Sequence, residues 1–131
     1  KTAPDGIFVH DSYNSPDSVN SIKWNDVTLR CGVMEYYRGL IAVRKFFPQF
    51  RMRDAESIRK IRFETLEGGA VAADFGGLLL IVNPAAHPLK YENGRRMMVY
   101  ADHITAGTRP LFIADGAVSV APRGIILAEY R

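Results

Sequence analysis

Val71-Ala72-Ala73-Asp74-Phe75-Gly76-Gly77-Leu78-Leu79-Leu80-Ile81-Val82-Asn83-Pro84 decides the fold class. The apolar run 78–82 leaves no wet side, so it predicts a central strand covered on both faces. Gly76-Gly77 turns the chain into that strand and Asn83-Pro84 ends it. Residues 71–75, which follow Gly68-Gly69, read as another strand. Before them, Ile61, Phe63 and Thr65 alternate with Arg62 and Glu64, the pattern of a half-buried strand with one wet face. Downstream, the segments 97–100, 111–114, 117–120 and 125–129 read as further short strands. Asn93-Gly94 and Asp115-Gly116 predict tight hairpins, because both pairs tolerate the positive φ angles such turns demand. Seven or eight short strands with frequent turn signals make residues 55–131 all-β, an antiparallel sandwich or barrel. A sandwich this small is marginal alone and is expected to lean on what precedes it.

What precedes it is a helix. Leu29, Val33, Tyr37 and Leu40 follow a 3.6-residue rhythm through residues 28–47, and Tyr36, Ile41 and Val43 widen the apolar stripe. Asp26 or Thr28 is a candidate cap. Arg44 and Lys45 suit the negative end of the helix dipole, and Pro48 stops the ladder. Such a broad arc needs a large partner surface. Upstream again, residues 1–28 are polar and dense in Pro, Gly, Asn and Asp, which predicts a long loop of the kind that tends to carry function. The opening Lys1-Thr2-Ala3-Pro4-Asp5-Gly6 reads like the interior of a loop in a longer parent.

Composition excludes several classes. Of the 131 residues 47% are hydrophobic and 24% charged, which is ordinary for a packed domain and unlike a disordered chain. The net charge of +3 comes from 17 basic residues spread along the chain, with no clustered patch for nucleic acid. No run approaches the roughly 18 apolar residues of a membrane span. Cys31 is the only cysteine, which rules out an internal disulfide; its place in the helical pattern predicts a small buried hydrophobe.

The chemically rich stretch is His10-Asp11-Ser12-Tyr13-Asn14-Ser15-Pro16-Asp17-Ser18-Val19-Asn20. Asp and Asn side chains can bridge neighbouring sugar hydroxyls, and a tyrosine face can stack on a pyranose ring. The same residue types also simply build turns, and composition alone favours that reading. Asp11 and Asp17 share one flexible loop, which gives no support for a catalytic carboxylate pair. His10, His87 and His103 lack metal-ligand spacing. The glycine pairs form no dinucleotide or phosphate loop, so no cofactor is expected.

Two segments carry a family resemblance. The loop from His10 to Asn20, continued by Ser21-Ile22-Lys23-Trp24, closely resembles the loop after the eighth barrel strand of type I pullulanases, debranching members of the α-amylase superfamily. The helix Glu35-Tyr36-Tyr37-Arg38-Gly39-Leu40-Ile41-Ala42-Val43-Arg44-Lys45, followed by Pro48, Phe50 and Arg51, resembles that superfamily's last barrel helix. The order of loop, helix and terminal sandwich agrees as well, with Val82-Asn83-Pro84 and residues 118–127 as the recognisable parts of a domain like domain C of α-amylases.

The resemblance implies that residues 1–51 are the last loop and final helix of a (β/α)8 barrel, and residues 52–131 a C-terminal β-sandwich. It implies a parent that hydrolyses α-1,6 branch points in pullulan, amylopectin or limit dextrins. The catalytic carboxylates would lie on barrel strands upstream, so no catalytic residue carries over and the isolated chain is expected to be inactive. By position, His10, Asp11, Tyr13, Asn14, Asp17 and Asn20 fall on the substrate side of the cleft. Tyr13, Asn14 and Asp17 are the expected glucan contacts, while Asn20 and Trp24 are expected to anchor the loop. The implied partners are a branched α-glucan and the upstream barrel. Residues 3–9 look longer than in typical members. The alternatives are a stand-alone, non-catalytic carbohydrate-binding sandwich using Tyr91, Tyr100, Phe112 and Tyr130, or a protein-interaction domain docking through the helix.

Overall fold

The computed structural model describes residues 6–130; residues 1–5, which the sequence reads as loop interior, and Arg131 lie outside them. The chain forms two compact units, Lys1–Met34 and Glu35–Arg131.

In the first unit the expected long loop contains two short helices, α1 (Asp17–Asn20) and α2 (Trp24–Leu29). Both are too short for an apolar period to register in sequence. A third helix, α3 (Cys31–Phe46), starts later than the pattern predicts. Arg30, at φ −121° and ψ 36°, breaks the helix between α2 and α3. Asp26 and Thr28 therefore lie inside α2 and cap nothing in α3. Cys31, expected to be buried, is exposed on the first turn of α3. The other end is as read: Arg44 and Lys45 occupy the last turn, and Pro48 opens a 3-10 turn, Pro48–Arg51.

In the second unit, α3 presents Leu40 and Val43, with Phe47 just beyond its end, to Leu78, Met98, Tyr100, Ala101 and Leu127 of the sheet. Spacings of three and four residues put these on one face. Phe47 meets Tyr100 edge-on with ring centroids 4.9 Å apart, a favoured aromatic geometry. Tyr36 donates a hydrogen bond to the Asp102 carbonyl at 2.7 Å. Burial, and then the Asp102 carboxylate, push the Tyr36 hydroxyl above its ordinary pKa. At Gly39 helix and loop approach closely, since a Cβ there would sit 2.1 Å from the Ala106 carbonyl oxygen. The sandwich does lean on this helix.

The segment read as wholly β begins with another helix, α4 (Ala55–Arg59). Asp54 caps it by accepting the Ser57 N–H at 2.7 Å. That hydrogen bond holds the Asp54 carboxyl below the usual carboxylate range.

Six antiparallel strands follow: β1 (Arg62–Thr65), β2 (Val71–Asp74), β3 (Leu78–Asn83), β4 (Leu89–Ala101), β5 (Phe112–Val120) and β6 (Gly124–Tyr130). Their order in the sheet is β1-β2-β3-β6-β4-β5. The central strand β3 pairs with β2 on one side and β6 on the other. One face gathers Leu79, Ile81, Met97, Val99, Val118, Val120 and Ile126 into the main core, and the other receives α3. This is the antiparallel β-sandwich that the strand pattern predicts.

The two expected hairpin turns are not turns. Asn93-Gly94 lies within β4 and Asp115-Gly116 within β5, and the register between these strands shifts over Glu92–Arg96. Gly94 and Gly116 have φ of 68° and 78°, and a Cβ on Gly116 would lie 3.8 Å from the Gly94 Cα. Two positive-φ glycines face to face bend both strands together instead of reversing either. β5 thus reads as two runs in sequence because it is bent, and of β4 only the second half reads as a strand.

β1 also departs from expectation. All its residues are exposed, and Phe63, on its apolar side, is 72% accessible. As the sheet edge next to β2 alone, β1 has nothing among the described residues covering that side.

Asn83 joins strands that are not neighbours. Its side chain is 1% exposed. Nδ2 donates to the carbonyls of His87 (2.9 Å) and Ala121 (3.0 Å), with Val120 at 3.4 Å, and Oδ1 accepts the Ala85 N–H at 3.1 Å. The amide thereby ties the end of β3 to the end of β5.

Candidate functional site

The loop 10–20 is organised from its far end. Asn20, the last residue of α1, turns its amide back and donates to the carbonyls of Ser12 (2.8 Å) and Ser15 (2.7 Å). Ser15 N–H closes a turn on the same Ser12 carbonyl at 3.0 Å, and the Asp11 carboxylate accepts the Tyr13 N–H at 3.4 Å. Pro16 sits at the α1 entrance with φ −65°, the value its ring enforces. Lys23 then braces the end of α1 through the Ser18 carbonyl (2.5 Å) and the Ser21 hydroxyl (3.0 Å).

This framework projects the tip of the loop into solvent. Tyr13 is 88% exposed, and His10, Asp11, Asn14 and Asp17 are exposed as well. Asn20 is half-buried with its amide nitrogen committed to the turn, and its Oδ1 is a buried acceptor with no partner among the described residues. The six residues singled out in the sequence therefore divide into five outward-facing side chains and one that builds the turn beneath them. Trp24, expected to anchor the loop, is exposed on the first turn of α2.

Chemically, the loop offers an aromatic face and several amide and carboxylate groups held on a fixed backbone. That set suits hydroxyl-rich ligands. Among the described residues no group of three or more His, Cys, Asp or Glu side chains could hold a metal ion. Sequence reasoning missed the brace from Lys23. A long cation a few residues after a polar turn is too common a pattern to signal a loop clamp.

No family model matches the chain. Pullulanase A of Streptococcus pneumoniae is 34% identical over 68 residues, which are 47% of this chain and 5% of that protein. Among solved structures, the pullulanase from Bacillus acidopullulyticus superposes with a TM-score of 0.82 at 22% identity, covering 91% of this chain and 16% of its own. The pullulanase from Anoxybacillus sp. LM18-11, complexed with maltotetraose, gives 0.80 at 17% identity over 92% of this chain and 18% of its own. The Group B Streptococcus pullulanase SAP gives 0.75 at 21% identity over 98% and 21%. The chain thus spans about a fifth or less of each of these proteins. In fold over nearly all of its length, and in sequence over 47% of it, this chain matches a C-terminal region of pullulanases.

Proposed function

We propose that this chain is the C-terminal part of an endo-acting debranching hydrolase that cleaves α-1,6 linkages in pullulan, amylopectin or limit dextrins. Residues 1–51 supply a wall of the glucan cleft and the last helix of the barrel shell, and residues 52–131 supply a sandwich that buttresses it. Tyr13, Asn14 and Asp17 contact glucan, joined at the cleft by His10 and Asp11. Asn20 acts from beneath by fixing the turn that carries Tyr13. The nucleophile and the acid/base belong to the barrel that precedes this segment, and the parent hydrolyses with retention.

The observation that carries this reading is the double-sided character of α3. Leu40, Val43 and Phe47 are spoken for by the sandwich, yet Tyr37 and Ile41 on another face of the same helix remain 63% and 54% exposed. Exposed apolar side chains in an i, i+4 row suit a second packed layer. In this reading that layer is the parallel barrel.

The test has two arms. The purified chain should release no reducing sugar from pullulan. Co-expressed with the preceding part of its parent, it should restore branch-point hydrolysis, and Tyr13→Ala should then raise KM at least about tenfold, the cost of roughly 1.4 kcal/mol of binding. Hydrolysis by the chain alone, or no recovery from a folded complex, would sink the proposal.

A further inference from the structure

The Glu35–Arg131 unit holds a second cleft with sugar-like chemistry, at the β1 side of the sandwich. Alternate residues of a strand share a face. The register Arg62↔Asp74 and Glu64↔Ala72, carried on through Asp74↔Leu79, puts Arg62, Glu64 and Asp74 on the side that bears the core residues Ala72 and Leu79. Because β1 has no apolar residue on that side, the core stops short of the sheet edge. A cleft of about 270 Å³ opens there, walled by Arg62, Glu64 and Asp74 and by the half-buried Tyr91 and Tyr130.

The two walls are fixed in different ways. Asp74 Oδ1 accepts the Gly76 and Gly77 N–H groups at 2.8 and 2.9 Å, which holds the carboxylate in place and leaves Oδ2 for a ligand. Tyr91 and Tyr130 pack against the end of the main core. The Arg95 guanidinium lies 5.2 Å from the Tyr130 ring centre, within cation–π range. Burial, then the charge of and a hydrogen bond with Tyr130, and then the Glu64 and Asp74 carboxylates push the Tyr91 hydroxyl up to about 12. Among the described residues, no ion pair engages Arg62, Glu64 or Asp74.

Arg62 lines the cleft beside Glu64 and Asp74, and Arg95 lies over the Tyr130 ring. A phosphate would meet two carboxylates and a divalent cation a guanidinium, so neither is favoured there. A neutral ring fits better: its apolar face can lie on tyrosine, while its hydroxyls exchange hydrogen bonds with two carboxylates, a guanidinium and a phenol. The geometry points to this cleft as a binding site for a short stretch of α-glucan on the sandwich, and the choice of glucan among sugars rests on the proposed debranching function.

Amide NMR of the whole chain titrated with maltotetraose tests it residue by residue. Saturable shifts are expected at Arg62, Glu64, Asp74, Tyr91 and Tyr130, with a Kd of about 1 mM or tighter. The double substitution Arg62→Ala/Glu64→Ala removes only exposed side chains, so it should weaken those shifts at least about tenfold without moving the melting temperature. Tyr91→Phe keeps the ring and should weaken them less. Shifts confined to residues 10–20, or unchanged affinity in the double variant, would overturn the cleft while leaving the debranching reading intact. Binding at the cleft together with a parent enzyme that leaves pullulan uncut would do the reverse.

Discussion

Asn83 shows how one polar side chain can specify a sandwich. From the end of β3 its amide satisfies carbonyls at the end of β5, a strand that the sheet order does not place beside β3. Asn83→Ala should cost roughly 3 kcal/mol, because several buried groups lose partners at once. Asn83→Asp should be worse at neutral pH, since a carboxylate can only accept and would face carbonyl oxygens. Urea unfolding of both variants checks the order. Tyr91 makes a pH prediction at the same scale. Its folded pKa of about 12 exceeds the unfolded value of about 10. Its contribution is therefore complete below pH 10 and is lost as pH rises through the folded pKa. Tyr91→Phe should flatten the fall in melting temperature between about pH 10 and 12. An unchanged alkaline slope would assign that fall to other groups.

Among the elements, α3 and the β4–β5 pair each depend on single glycines. Alanine normally favours a helix over glycine by about 1 kcal/mol. At Gly39 the sign should reverse, since the added Cβ would overlap the Ala106 carbonyl. Gly39→Ala should therefore destabilise the Glu35–Arg131 unit by about 2 kcal/mol through forced separation of helix and loop. A neutral or stabilising result in thermal denaturation would mean the loop yields freely. The paired bends at Gly94 and Gly116 predict a smaller cost, about 1 kcal/mol for Gly94→Ala, because a Cβ at positive φ is strained. Here sequence pattern was ambiguous for a physical reason: Asn-Gly meets the dihedral needs of a hairpin and of a strand bulge equally well. Which one forms depends on whether the flanking residues have another strand beside them. For β4 they do, with β5 on one side and β6 on the other.

For the whole molecule, the apolar row on α3 makes the last prediction. Ile41→Ser should leave the chain's own stability within about 0.5 kcal/mol, as exposed substitutions do, yet weaken its association with the preceding part of the parent. A pull-down that retains full affinity would mean the row faces solvent there too. The sequence determined the sandwich class, the central strand, the Pro48 stop and the polar loop beside a helix, because periodicity and turn chemistry are local and strong. It also marked the residues from His10 to Asn20 as one chemical group. Only the tertiary structure decided which of them face outward: Asn20 and Asn14 carry the same amide, but that of Asn20 closes on Ser12 and Ser15 while Asn14 is exposed. The cleft beside β1 was likewise illegible, since Arg62, Asp74, Tyr91 and Tyr130 meet only through strand order and register, which no single segment encodes.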